Sequence, residues 1–414
     1  MSAGWKETEI GPVPEDWEVV TLGERGNFSK GGGVRKDQAN SGTLPCIRYG
    51  ELYTNHHEII RSFPTRISPE VASSARRIRS GDVIFAGSGE TKEEIGKCAV
   101  FIDDFEAYAG GDTIIFSPKR DDPVFLGYAL NQPIAQRQKA AHGQGDAVVH
   151  VSARALASLT LPLPPLPEQR AIAGVLGDVD GLIGALAGLI GKRRDLAAAA
   201  RARLLTGQTR LPGFTAPWQT RRLGEVVSVR NEKVASSRFE KGQPCIELEH
   251  IEPETGRVIG AAASGSWGVK QRFRRGDVLF GRLRAYLRKY WLADCDGYCS
   301  TEIWPIISKP GTLDVRFAYF TLQRSEVIDA ASQAYGTHMP RSDWSVIAKL
   351  EIPLPDLAEQ TAIAAVLSDM EAGIAALEAR LAKARALKQA LMQALLTGRR
   401  RLPLPPLQSE PAHA

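Results

Sequence analysis

The chain repeats itself, and any fold proposed for it has to accommodate two copies of one unit. Residues 162–178 read PLPPLPEQRAIAGVLGD and residues 353–369 read PLPDLAEQTAIAAVLSD, identical at twelve of seventeen positions at an offset of 191. The same offset aligns Leu204-Leu205-Thr206-Gly207 with Leu395-Leu396-Thr397-Gly398, and Arg210-Leu211-Pro212 with Arg401-Leu402-Pro403. With small insertions the repeat reaches the preceding segments. Trp17 and Leu22-Gly23-Glu24 match Trp218 and Leu223-Gly224-Glu225, Pro45-Cys46-Ile47 matches Pro244-Cys245-Ile246, and residues 81–85 match 276–280. Between these anchors the copies diverge. A shared frame with variable filling implies one structural job done twice, with two specificities.

Each copy opens with strand-like text. Residues 17–21, 82–86, 113–116, 277–280 and 302–307 are short runs rich in β-branched or aromatic residues, bounded by Gly, Ser or Pro. A helical stretch is expected near 123–141, with its counterpart near 315–334. A Pro-rich hinge follows (162–167 and 353–355), unsuited to a helix interior because Pro lacks the backbone donor. Then comes a helix of about 40 residues, roughly 60 Å long, ending at Gly207 or Gly398. In the second of these helices Ile363, Leu367, Met370, Ile374, Leu377, Leu381, Ala384, Leu391 and Leu395 alternate at steps of four and three, with Lys388 the one polar member. That is a coiled-coil seam. Ile172, Leu176, Val179, Ile183, Leu186, Ile190, Ala197, Ala200 and Leu204 repeat it in the first, interrupted by Arg193. The alternative is an amphipathic helix lying on its own globule, but a small globule cannot cover a stripe that long. Two such helices most simply cover each other, and antiparallel pairing would put the globules at opposite ends. The expected class is α+β: two mixed, mostly β domains joined by two long antiparallel coiled-coil helices in a pseudo-two-fold duplication. The expected boundaries are 1–161, 162–207, 208–352 and 353–398, with a tail at 399–414.

Little in the sequence offers chemistry. There is no GxxxxGK[ST] for a nucleotide and no Asn/Asp-Pro-Pro-Tyr/Phe for methyl transfer to an amine. Gly31-Gly32-Gly33 reads as a loop. Gly87-Ser88-Gly89-Glu90-Thr91-Lys92 could touch a phosphate through its amides but lacks the phosphate-loop spacing. Asp103-Asp104 and Asp121-Asp122 read as solvated turns, and the seven histidines show no metal spacing with the five cysteines. Scattered cysteines suggest reduced, structural thiols in a cytoplasmic protein. An N-terminus with Lys6, Glu7 and Glu9 does not read as a signal peptide, and the Leu/Ile-rich stretches are expected to be interrupted too soon to span a membrane. The net charge of +5 is a mild pointer to an acidic partner.

The twice-present PLPxxxEQxAIAxVLxxxD with its trailing helix and LLTG resembles the specificity subunit of type I restriction–modification systems. Residues 5–17, 81–97, 276–289 and 296–302 add to the likeness, which covers all but the tail after Pro403. The resemblance implies that each globule is a target-recognition domain reading one half of a split site in double-stranded DNA. It implies that the helices act as a ruler and dock two modification subunits, which restriction subunits with helicase and nuclease activity join. S-adenosylmethionine, ATP and magnesium would sit on those partners, this chain would hold no cofactor or metal, and it would catalyse nothing. No membrane partner is implied. Two other readings compete: a single-chain methyltransferase with its own recognition domains, and an orphan DNA-binding or scaffold protein.

DNA contacts are expected from Lys and Arg on phosphates and from polar side chains on base edges. Residues 270–289 hold eight basic side chains and one acid, Asp277, with Tyr286 interleaved. From that stretch Lys270, Arg272, Arg282, Arg284, Tyr286 and Arg288 are candidates, a solvated basic face being the alternative. Two turns just before the hinges add Gln144 and His150 in one copy and Thr337, His338 and Arg341 in the other. Lys30, Arg35, Lys36 and Lys92 are candidates beside the glycine-rich loops of the first copy.

Overall fold

The computed structural model describes residues 4–261, 268–333 and 340–403. Its contacts divide the chain into two units, Met1–Ala185 with Leu381–Ala414, and Leu186–Arg380. Each unit holds one globule and one half of each long helix.

In the first unit Cys98–Val100, Val83–Ala86, Thr113–Pro118 and Gly26–Lys30 form an antiparallel sheet in that order. A second sheet runs Thr65–Ile67, Leu44–Ile47, Ala107–Ala109, Arg76–Ile78, with Leu44–Ile47 and Ala107–Ala109 parallel. The second unit repeats this. Tyr290–Leu292, Val278–Gly281, Ile303–Ser308 and Val227–Val229 make the first sheet. Lys233–Ala235, Val269–Phe273, Gly297–Cys299 and Cys245–Ile246 make the second, again with one parallel pair. The copies share three strands of that second sheet and add the fourth on opposite edges. The strands Val83–Ala86 and Val278–Gly281 are buried throughout, as uninterrupted apolar runs in a sandwiched strand must be.

The expected helices near 123–141 and 315–334 are each broken in two: Pro123–Ala129 and Pro133–His142, Val315–Leu322 and Ser325–Ser332. Pro133 explains the first break, since it opens a helix but cannot continue one. The hinges are not loops. Pro162-Leu163 ends the strand Thr160–Leu163, paired with Glu18–Thr21, and Pro353-Leu354 ends Glu351–Leu354, paired with Gln219–Arg222. Proline is tolerated there because each ribbon has only two strands.

The long helices are Leu166–Leu204 and Leu357–Leu395, 39 residues each. Gly207 (φ +73°) and Gly398 (φ +70°) follow them in the left-handed region, which is why LLTG ends both. The seam packs as its spacing requires. In the first unit Ile172, Leu176, Leu395 and Leu396 join the core with Phe116, Phe125 and Leu126. In the second, Leu204, Leu205, Ile363 and Leu367 pack on Phe317 and Phe320. The pairing is antiparallel in each unit. Glu168 meets Arg401 while Asp180 meets Lys388 in the first; Arg194 meets Glu378 while Arg210 meets Glu359 in the second. One expectation is corrected. The first long helix contains an 18-residue stretch of mean hydropathy 1.6, long and apolar enough to cross a membrane by length and composition. Between Arg170 and Lys192 its only ionisable side chains are Asp178 and Asp180, too few to interrupt it. Only part of that surface packs: Ile172, Leu176, Leu186 and Ile190 are buried in the seam, while Leu182 and Leu189 are exposed.

The repeated Glu-Gln fastens each helix start. Gln169 Oε1 accepts from the Asp122 amide (2.9 Å) and its Nε2 donates to Asp121 Oδ1 and the Pro164 carbonyl. Gln360 does the same with the Asp314 amide (2.8 Å), Thr312 and Pro355. The neighbouring glutamates, Glu168 and Glu359, are fully buried and each holds the arginine of the RLP sequence, Arg401 and Arg210 respectively.

Candidate nucleic-acid interface

In the first unit the chain leaves the buried strand Val83–Ala86 at Gly87. The Gly87 amide donates to Asp112 O (2.7 Å), the Val151 amide donates to Gly87 O (3.0 Å), and Ser88–Gly89 pairs with Val149–His150. The turn at 144–150 is closed by reciprocal backbone bonds between Gln144 and His150. These elements border a cleft of about 420 Å³ lined by Lys30, Ser88, Asp112, His142, Gln144 and His150, among others. Ser88 Oγ lies 2.8 Å from His150 Nδ1, orienting the imidazole. Three of the expected DNA contacts, Lys30, Gln144 and His150, are therefore brought together. Arg35, Lys36 and Lys92 are exposed but do not line this cleft, and Arg35 faces Asp37 at 3.6 Å.

The second unit repeats the frame with other side chains. The Arg282 amide donates to Glu302 O (2.9 Å), the Ser342 amide donates to Arg282 O (2.8 Å), and Leu283 bridges Arg341. By these bonds Arg282 stands where Gly87 does, Leu283 where Ser88 does, Arg341 where His150 does, and Glu302 where Asp112 does. Arg341 is exposed and forked onto Glu302, with N–O distances of 2.9–3.0 Å. The Arg282 guanidinium lies 5.1 Å from the centre of the Trp304 ring and donates weakly to Ser342 O. Arg284 (φ +53°) and Arg288 (φ +52°) flank a single turn, Ala285–Leu287, in left-handed conformations that side chains adopt only at a cost of about 1 kcal/mol or more each. The turn leaves Arg284 and Tyr286 exposed. Thr337 and His338 lie outside the described residues.

The basic stretch is less free than its sequence suggests. Lys270 pairs with Glu247, Arg272 with Glu240 (2.8 Å), Arg274 with Glu232 (3.5 Å), and Arg288 faces Glu254 at 3.9 Å. These acids lie outside residues 270–289, so local composition could not reveal them. The residues the sequence reading passed over are Ser88, Asp112, Glu302 and Ser342. A signal existed for Ser88 in the Gly87-Ser88-Gly89 loop, which looks like a phosphate cradle but serves as a cleft edge.

The description "Type I restriction modification DNA specificity domain" matches this chain twice, at residues 14–190 and 216–385. The chain belongs to that family. The MjaVIII type I restriction enzyme specificity subunit of Methanocaldococcus jannaschii is 23% identical over 418 residues, 94% of each chain. The EcoDI specificity subunit of Escherichia coli is 23% identical over 93% of this chain and 88% of its own. Among solved structures, the S subunit of the type I system from M. genitalium superposes with a TM-score of 0.62 at 14% identity, over 95% of this chain and 99% of that one. A chain from a study of type I complex assembly and conformational transition superposes at 0.52 and 20% identity, over 93% and 99%. The duplicated α+β fold with two long helices is thus that of a specificity subunit, and DNA recognition is its role.

Proposed function

We propose that this specificity subunit reads a bipartite, asymmetric site in double-stranded DNA, one half with the domain at 1–161 and the other with the domain at 208–352. The observation that carries the reading is one hydrogen-bonded frame occurring twice with different side chains at equivalent places: Ser88, His150 and Asp112 against Leu283, Arg341 and Glu302. A reader of two unlike half-sites needs that distribution. His150 and Gln144 offer the groove a mixed donor–acceptor edge, and Arg341, which must exchange Glu302 for the base, offers a planar fork of the kind that pairs bidentately with guanine. Lys30, Arg35, Lys36, Lys92, Arg284 and Tyr286 supply backbone contacts around these edges. The repeated long helices dock two methyltransferase subunits, and restriction subunits join that core; S-adenosylmethionine, ATP and magnesium belong to those partners in the cytoplasm. The relatives named as specificity subunits of type I restriction enzymes, and the fold shared with a chain from a type I assembly, support this reading. The chain itself performs no methyl transfer.

Methylation mapping of DNA from a host carrying the intact system tests the proposal. The expected outcome is a split adenine-methylated motif with unlike halves and a fixed gap. A continuous motif, or methyl transfer by the purified chain alone, would overturn it.

A further inference from the structure

The two units differ at one buried position of the seam. In the first, Lys388 Nζ donates to Glu58 Oε2 (2.7 Å), pairs with Asp180 Oδ1 (2.9 Å) and lies 5.3 Å from the centre of the Tyr128 ring, whose hydroxyl donates to Asp180 Oδ2 (2.6 Å). Along the repeat Lys388 corresponds to Ala197, and Asp180 to Glu371. The helix-capping aspartates Asp122 and Asp314, each held by the Gln of the Glu-Gln pair, align Tyr128 with Phe320. The second unit therefore keeps the carboxylate and the ring but has lost the ammonium and the phenol hydroxyl.

Its cation has moved one helical turn, to Arg201 at the position of Met392. Arg201 donates to Gln323 Oε1 (2.7 Å), lies 6.0 Å from the Phe320 ring centre, and reaches only 3.6 Å from Glu371. Among the described residues none donates a hydrogen bond to Glu371, and burial pushes its carboxyl above the usual range despite Arg201. The room left by the missing lysine stem is open. A cavity of about 710 Å³ is lined by Ala197, Tyr290, Tyr319, Glu371 and Ala375, among others. The other guanidiniums on its wall are engaged: Arg194 and Arg257 on Glu378 at 2.5 Å, and Arg288 near Glu254. Of the carboxylates on the wall, Glu378 is held by Arg194 and Arg257 and Glu254 is mostly exposed, which leaves Glu371 as the part-buried one without a hydrogen-bond donor. The aliphatic and aromatic side chains beside it suit an alkyl stem and a cation beside a ring.

We propose that this cavity binds a primary alkylammonium, its nitrogen pairing with Glu371 as Lys388 Nζ pairs with the equivalent Asp180 in the first unit. The inference does not depend on how DNA is read. The test titrates the full-length chain with n-butylammonium by calorimetry, with 1-butanol and inorganic phosphate as controls. One saturable site is expected for the ammonium and none for the alcohol. Glu371→Gln should weaken binding at least tenfold. Ala197→Lys, which places the ammonium from within, should abolish binding and raise the melting temperature without ligand. Lys388→Ala should open a matching site in the first unit and raise the stoichiometry from one to two. Absence of saturable binding, binding unchanged in Glu371→Gln, or displacement of the amine by phosphate would overturn the proposal. The Glu371→Gln arm remains decisive if either lysine variant fails to fold.

Discussion

Two buried titratable side chains of the first unit weaken it when they carry charge. Lys139 is wholly buried with its Nζ on the Gly96 carbonyl, and burial lowers its pKa to about 8. His56, also buried and with Nε2 unpartnered, is lowered to about 4 by burial, helped by Lys97 and His57. Both folded values lie below the ordinary ones, so folding favours the neutral forms. The Lys139 cost is full below pH 8 and fades as the pH rises towards 10.5; the His56 cost starts near pH 6.5 and grows as the pH falls towards 4. Lowering a lysine from 10.5 to about 8, or a histidine from 6.5 to about 4, corresponds to roughly 3 kcal/mol at most. Lys139→Met should therefore stabilise the chain at pH 7 by about 1–3 kcal/mol in urea unfolding, with the gain shrinking at pH 10. His56→Leu should flatten the acid limb between pH 6.5 and 4. At the same scale, Arg341→Ala should relax base preference in one half of the methylated motif and His150→Ala in the other, each by about 1–3 kcal/mol of discrimination. Both halves changing together in either variant would contradict separate readers. Loop position in the sequence pointed to Gln144 and His150, which the structure sets on one cleft, and to Arg341, which stands where His150 does. The carboxylates that hold Lys270 and Arg272 were not, because they come from other parts of the chain.

The long helices were legible because a period of three and four over 39 residues leaves a stripe that only a partner helix can cover. The break between Ala129 and Pro133 and the strand pairing of the hinge prolines were not, since both depend on tertiary pairing rather than local propensity. The reason for the repeated Glu-Gln also emerges only in three dimensions. Glu359, fully buried, accepts from Arg210 Nε (2.5 Å) and Nη2 (2.6 Å) and from Trp218 Nε1 (2.9 Å). Glu168 holds Arg401, which also grips Asp16. Removing the glutamate leaves an arginine that solvent still reaches, so the cost stays below the ~3 kcal/mol of a fully buried pair, at about 1–2 kcal/mol. Glu359→Ala should lower stability by that order and shift Trp218 fluorescence to the red, whereas Glu168→Ala should cost as much while leaving Trp218 emission unchanged. Equal fluorescence changes in both variants would show that the two fasteners are not separate.

Each long helix is continuous and contributes to both units, so the two cannot be lengthened or shortened independently without consequence. Lys388 must still meet Asp180 in the first unit, and Arg194 must still meet Glu378 in the second. Deleting a heptad from one helix keeps its stripe but forces at least one of these pairs out of register, and should cost stability. Deleting seven residues from the middle of both preserves stripe and pairing while shortening each helix by about 10 Å. If the helices set the gap between half-sites, that is about 3 base pairs of DNA. The doubly shortened chain, assembled with its methyltransferase subunits, should methylate the same two half-sequences with a gap smaller by about that amount. The two half-sequences act as an internal control, because the recognition domains are untouched. An unchanged gap with retained methylation would mean that the helices hold the complex together without measuring the DNA.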